Sequence, residues 1–285
     1  MQLIFPLLIL FFCCSGCKAQ TQSDNNTVLK HTASISLPDV SGRIDHLAYD
    51  SARNIVYVAA LGNNSVEAVD LKNKKVIHSI KNLHEPQGVV FIPESNSIFV
   101  ANGDNGECDV FDANTFQKKA SIKLSGDADN VRYDVTTKKI YVGYGNGGIA
   151  VTDATNFKLL NEIKLDGHPE SFQIDKSVGK VYVNVPDEKQ IEVIDLIKNV
   201  VINKWKMVGA TSNFPMALDE QHNRLFIGCR SPATLRVIST ETGKDISLIS
   251  CTGDADDVFY DLNDNLVFVS GGRGFIDVFE ADDSS

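Results

Sequence analysis

The chain repeats one eight-residue interval six times. In each copy a landmark residue is followed eight positions later by the last residue of a Tyr-Val, Phe-Val or Phe-Ile pair. The six intervals are Asp50–Val58, Ile92–Val100, Asp134–Val142, Asp175–Val183, Asp219–Ile227 and Asp261–Val269. They recur about every 42 residues and alternate with turns rich in Gly, Asn and Asp. This period is typical of a sheet repeated around an axis, so the sequence predicts a β-propeller.

Each repeat contains four short strands, which is the content of one propeller blade. In the first repeat they are predicted at Leu47–Tyr49, Ile55–Ala59, Val66–Val69 and Val76–Ile80. The sixth repeat supplies only three, at Val258–Tyr260, Leu266–Val269 and Phe275–Phe279. We predict that His31–Leu37 is a strand that completes the last blade and removes its open edge. The expected fold is therefore an all-β propeller of six four-stranded blades over residues 31–285.

Nine aspartates recur at the ends of strands. They follow the first strand or close the third strand of a repeat: Asp50, Asp134, Asp175, Asp219, Asp261, Asp70, Asp112, Asp153 and Asp195. Because a short carboxylate at such a position accepts hydrogen bonds from the next backbone N–H groups, we predict that they cap turns. Their repetition argues against a catalytic role.

The N-terminus has the features of an export signal. Leu3–Phe12 is an apolar run of about ten residues, too short to span a bilayer and of the length of a signal-peptide core. Cys14–Cys17 resembles the end of a bacterial lipoprotein signal, which makes Cys17 the predicted lipidated residue. The alternatives are cleavage after Ala19 with secretion as a soluble protein, and retention of the apolar run as an anchor. Residues 18–30 are polar and are predicted to be a tether to the membrane anchor.

Charge and cysteine content narrow the function classes. The formal net charge of −10, with no dense basic run, argues against a nucleic-acid partner.

Cys108, Cys229 and Cys251 remain in the body, where we interpret them as small packing residues, with a Cys229–Cys251 disulfide as the alternative. Gly143–Gly148 matches GxGxxG but precedes a strand, so we predict a hairpin turn and no dinucleotide site.

Several segments carry a resemblance to a known family. Gly42–His46, Glu85–Gly88, Phe99–Asn102, Asp127–Asp134 and Val181–Asn184 resemble the bacterial YVTN-repeat β-propellers over residues 42–280. This resemblance implies an exported protein of the periplasm or outer membrane without an assigned reaction. Members usually have seven blades, so this chain either lacks the last blade or closes as six.

Candidate site residues come from positions that vary among the repeats. The connecting loops and the starts of the first strands surround one mouth of a propeller's channel, where differences between blades build an asymmetric site. The candidates are Arg43, Asp45, His46, Gln87, Asp129, Asn130, Arg132, His168, Glu170, Arg230, Asp256, Asp257 and Arg273. Asp129 and Asp256 lie in the same Gly-Asp-Ala-Asp motif and are expected to face each other across the channel.

Three interpretations of this mouth stay open. A Ca²⁺ ion could be held by Asp45, Asp129, Glu170 and Asp256, while His46 and His168 would suit a transition metal. A small molecule, peptide, glycan or envelope protein could bind instead. The third interpretation is a hydrated mouth in which arginines pair with the acids. We therefore expect a binding or scaffold module, with a metal-assisted hydrolase or lactonase as the alternative.

Overall fold

A computed structural model of the protein describes residues 29–281. The chain divides into two compact units, residues 1–33 and residues 34–285, and every strand lies in the second. Its six antiparallel sheets are arranged as a β-propeller, which confirms the predicted all-β fold and the blade count. Within the described residues no helix has the length and apolar character needed to cross a bilayer.

The strands follow one another in sheet order within every blade. Blade 1 comprises β1 Leu47–Asp50, β2 Ile55–Ala60, β3 Ser65–Asp70 and β4 Lys75–Ile80; blade 2 comprises β5 Pro86–Ile92, β6 Ser97–Asn102, β7 Glu107–Asp112 and β8 Lys118–Lys123. Blade 3 comprises β9 Ala128–Asp134, β10 Lys139–Tyr144, β11 Gly148–Asp153 and β12 Leu159–Lys164; blade 4 comprises β13 Phe172–Asp175, β14 Lys180–Val185, β15 Gln190–Asp195 and β16 Val200–Lys206. Blade 5 comprises β17 Thr211–Asp219, β18 Arg224–Ser231, β19 Ala233–Ser239 and β20 Asp245–Ser250; blade 6 comprises β21 Ala255–Asp261, β22 Leu266–Gly271 and β23 Phe275–Glu280.

The predicted closing strand is wrong. Residues 29–37 form no strand, and the sheet of blade 6 has three strands in the described residues. The segment ends in a turn, where the Val40 N–H donates to the Leu37 carbonyl at 3.2 Å. The alternation of Ala33, Ile35 and Leu37 is a local strand pattern, but a strand also requires hydrogen bonds to a neighbouring edge.

The aspartates cap turns as predicted. Asp134 accepts hydrogen bonds from the Thr136 N–H at 3.0 Å and from the Thr137 hydroxyl at 2.6 Å. Asp153, at the end of a third strand, accepts from the backbone N–H groups of Thr155 and Asn156 at 2.7 and 3.0 Å. These bonds satisfy backbone donors at the turn, which explains why the residue recurs.

The Gly143–Gly148 segment forms the predicted hairpin. Tyr144, the last residue of β10, pairs with Gly148, the first residue of β11.

Apolar cores join each blade to the next, from blade 1 to blade 6. Within the described residues no such core joins blade 6 back to blade 1. Ile276 on β23 is 55% exposed, although its equivalents on the third strands are buried: Val66, Cys108, Ile149, Ile191 and Leu235. The facing sides of blades 6 and 1 are therefore uncovered.

Cys108 and Cys229 are buried, and all three cysteines of the body are unbonded thiols. The alternative of a Cys229–Cys251 disulfide is therefore not found. Burial raises the pKa of the Cys229 thiol to about 11, so it stays protonated at neutral pH. These cysteines act as small packing residues.

Candidate functional site

All six blades contribute to one cavity of about 780 Å³ at the channel mouth. Its polar lining comes from the starts of the first strands, the loops before them and the ends of two second strands: Arg43, Asp45, His46, Gln87, Asp127, Asp129, Asn130, His168, Glu170, Ser171, Arg230, Asp256, Asp257 and Ser270. Every predicted site residue except Arg132 and Arg273 lies here. Arg132 lines an adjoining cavity of about 550 Å³, and the exposed Arg273 lies against Gly253 outside both cavities.

Irregular pairing at the start of the inner strands turns these side chains toward the mouth. Val131 pairs with Val142 and Ala128 with Tyr144, so Asp129 and Asn130 together oppose the single residue Gly143. Such a bulge re-aims side chains, and similar shifts occur at the starts of β5, β17 and β21. The alternation of a regular strand does not predict this placement.

Close packing of blades 2 and 3 also shapes the mouth. A Cβ atom at Gly88 would lie 2.0 Å from the carbonyl oxygen of Asp129, which is far inside any allowed contact. Glycine is therefore required where β5 approaches β9.

Acids outnumber arginines in the cavity. Six carboxylates line it (Asp45, Asp127, Asp129, Glu170, Asp256, Asp257) against the two guanidinium groups of Arg43 and Arg230. His46 and His168 are the remaining titratable groups. The mouth is thus acidic whenever these carboxylates are ionised, and its potential favours cations.

Asp129 is the most perturbed of these acids. It is 6% exposed, and burial, together with the charges of Glu170 and Asp45, raises its pKa to about 7. Its two carboxylate oxygens lie 3.9 Å from His46 Nε2 and 4.0 Å from His168 Nε2. Burial also raises the pKa of Glu170 and of Asp257. Perturbed acids that cluster in a cavity are typical of functional sites.

The two histidines differ in their surroundings. His168 Nδ1 lies 2.6 Å from the carbonyl oxygen of Gly145, which fixes its ring. Burial lowers the pKa of His46, and this effect exceeds that of the nearby Asp45 carboxylate, whose oxygen lies 3.8 Å from His46 Nε2. His46 is therefore neutral at physiological pH.

The four-carboxylate calcium set is not assembled. Within residues 29–281, the group of three acids and histidines whose ligand atoms all lie within 4.8 Å of one another is Asp129, His168 and Glu170. Asp45 is held by Arg43 at 2.8 Å and Asp256 by Arg230 at 2.7 Å. These ion pairs neutralise two of the predicted ligands, so the interpretation of acids paired by arginines is correct for them.

Asp127 and Phe214 are among the mouth residues that the predicted set did not include. Asp127 accepts a hydrogen bond from Gln87 Nε2 at 3.0 Å, and its other oxygen lies 3.7 Å from His168 Nδ1. Phe214 lies under the Arg230 guanidinium, 4.5 Å from the ring centroid. Both residues occupy the variable repeat positions that supplied the other candidates, so the same alignment could have found them.

The fold and the site define the protein as a β-propeller with an acidic channel mouth. Comparison with known proteins finds no matching family model and no matching curated relative.

Proposed function

We propose that the protein is a binding module whose channel mouth takes a ligand that carries positive charge, such as an amine or a basic peptide. The observation that carries this proposal is the excess of acids in one cavity, six carboxylates against two arginines. Arg230 is itself engaged by Asp254 and Asp256 at 3.2 and 2.7 Å. Bound cationic groups would relieve the repulsion among the remaining acids.

Trilysine is a suitable probe for this function, with triglutamate as the charge-reversed control. Titration calorimetry at low salt should show binding of trilysine to the mouth and none of triglutamate. The double variant Asp127→Asn/Asp256→Asn removes two half-exposed mouth acids and should weaken binding about 10-fold or more. The matched control is Asp104→Asn, an exposed acid outside the cavity. Equal affinity of the double variant and the parent would place binding elsewhere.

A metal-assisted hydrolase or lactonase is the second candidate. One observation favours it: His46, neutral because burial lowers its pKa, lies beside Asp45 and Asp129 and could accept a proton. Hydrolysis of a simple aryl ester or lactone that is lost in His46→Gln would support this function. Turnover that persists in His46→Gln would remove His46 as the base.

The apolar run Leu3–Phe12, which we interpret as an export signal, supports a proposed location in the cell envelope, and the resemblance to YVTN-repeat propellers agrees with it. We propose lipid attachment at Cys17, with soluble secretion after cleavage at Ala19 as the alternative. Both residues lie outside the described part of the chain. An envelope protein, a peptide or a glycan with amino groups would then be the accessible partner.

A further inference from the structure

Two carboxylates and one imidazole, from two neighbouring blades, converge at the mouth. Asp129 starts blade 3, while His168 and Glu170 precede the first strand of blade 4. One ligand atom from each lies within 4.8 Å of the others. Ligand atoms about 2.0 to 2.2 Å from a shared ion lie roughly 3 to 4 Å apart, so small rotations would complete the set. We propose that Asp129, His168 and Glu170 bind a divalent transition-metal ion of the zinc type.

The ring of His168 is oriented for this role. Its Nδ1 lies 2.6 Å from the Gly145 carbonyl oxygen, which can only accept a hydrogen bond. The proton of the neutral ring is therefore on Nδ1, and the lone pair of Nε2 points away from it, with Asp129 Oδ2 4.0 Å from Nε2. A backbone carbonyl on one ring nitrogen is the usual support of a metal-bound histidine.

Asn130 gives independent evidence for a ligand. It is 3% exposed, lines the same cavity, and its Oδ1 accepts no hydrogen bond from any described residue. Its Nδ2 donates to Asp129 Oδ2 at 3.3 Å, which places the amide beside the three ligands. A buried amide oxygen without a partner destabilises the folded protein. An ion, or a water bound to an ion, would satisfy it.

The electrostatics of the cluster agree with a bound cation. Asp129 is buried and Glu170 is partly buried, burial raises the pKa of both, and the charge of Glu170 adds to the cost of ionising Asp129. The guanidinium of Arg230 is bound to Asp254 and Asp256, and its charge favours the ionised form of Glu170 less than burial disfavours it. A divalent ion would stabilise both charged forms at once.

The donor types select the class of metal. Ca²⁺ prefers six to eight oxygen ligands, whereas one imidazole nitrogen with two carboxylates is typical of zinc and related ions. Three protein ligands leave a position open for water or for a donor group of another molecule. The inference rests on the proposed function in this respect, because the ion would form part of the same ligand site.

Zinc titration tests the site directly. Protein stripped with a chelator should bind one Zn²⁺ per chain in calorimetry, and millimolar Ca²⁺ should not displace it. Asp129→Asn and His168→Gln should each weaken binding at least 10-fold. The matched controls are Asp104→Asn and His84→Gln, an exposed acid and an exposed histidine that lie beside each other outside the cavity. Both controls should bind Zn²⁺ as the parent does.

Three outcomes would overturn the metal site: no Zn²⁺ binding, unchanged affinity in both ligand variants, or displacement by an equal concentration of Ca²⁺. Circular dichroism of each variant separates lost binding from lost folding, and the near-isosteric Asp129→Asn is the variant most able to keep the fold. Trilysine binding without Zn²⁺ binding would refute the metal site and leave the proposed cationic ligand standing. Zn²⁺ binding without trilysine binding would instead remove the proposed cationic ligand.

Discussion

Leu47 in blade 1 and Met216 in blade 5 occupy the same position of the first strand, three residues before the landmark aspartate, yet Leu47 is 60% exposed and Met216 is 1% exposed. The other four equivalents are also buried: Val89, Val131, Phe172 and Val258. Each buried residue is covered by the preceding blade. Leu47 lacks this cover because blade 6 does not pack its apolar face onto blade 1.

This difference predicts unequal costs for the same truncation. Met216→Ala should lower the free energy of unfolding by about 2 to 5 kcal/mol, because it leaves a cavity in the core between blades 4 and 5. Leu47→Ala should cost less than about 1 kcal/mol, since most of that side chain is already in water. Urea denaturation of the two variants measures both values. A cost for Leu47→Ala equal to that of Met216→Ala would mean that blades 6 and 1 pack together in solution.

The capping aspartates predict a graded series of stability losses. Asp134 is 3% exposed and accepts hydrogen bonds from Thr136 and Thr137, so Asp134→Ala should cost about 1 to 3 kcal/mol. Asp261 holds the same repeat position but is partly exposed and bonds the Asn263 N–H at 2.9 Å. Asp261→Ala should therefore cost less. The melting temperatures of the two variants test the order, and a reversed order would argue against burial as the cause.

Asp129 predicts a dependence of stability on pH. Its pKa of about 7 in the folded protein lies above that of an unfolded aspartate, near 4, so the folded state binds the proton more tightly. The metal-free protein should therefore lose stability as pH rises from about 4 to about 7, and then lose no more from this group. The pKa values of Glu170 and Asp257 are raised as well. His46 and His168 both lie against the carboxylate of Asp129.

Asp129→Asn removes this titration and should therefore reduce the dependence of the free energy of unfolding on pH. Urea denaturation in the presence of a chelator at pH 4.5, 6 and 7.5 compares the variant with the parent. The stability of the variant relative to the parent should increase over this range. A parallel slope in both proteins would show that Asp129 is ionised throughout and is stabilised by its neighbours.

The export proposal predicts a loss of lipid attachment in Cys17→Ser. A serine hydroxyl does not replace the thiol at this signal, so the variant should accumulate as precursor or as soluble protein. The change is measured by the fraction of each expressed protein that enters the detergent phase after cell lysis. If partitioning of Cys17→Ser equals that of the parent, cleavage after Ala19 becomes the better explanation of the N-terminus.

The strands and turns were predictable because their signals are local. Tyr57–Val58 and its five counterparts alternate between the two faces of a second strand, and each landmark aspartate bonds the backbone within three residues of itself. The His31–Leu37 segment shows the limit of such signals. It alternates as a strand does, but no sheet edge among the described residues pairs with it.

The candidate site was predictable only as a ring of positions. Alignment of the repeats placed Asp45, Asp129, Glu170 and Asp256 at equivalent inner sites, and all four line the mouth. Pairing of the acids by arginines was one of three open interpretations, but the alignment did not show which acids Arg43 and Arg230 would hold, or that His168 would join Asp129 and Glu170. The Arg230–Asp256 pair and the His168 cluster join residues of neighbouring blades, so a local pattern does not specify them.

The sequence by itself determined the propeller, because a period of about 42 residues and the alternation within each strand are properties of neighbouring residues along the chain. The tertiary structure decided which residues at equivalent repeat positions differ in burial and in contacts. Leu47 and Met216 have the same local pattern, and their burial depends on whether another blade lies against them. The geometry around Asp129 likewise arises between blades, from side chains about 40 residues apart, and no local pattern specifies such a contact.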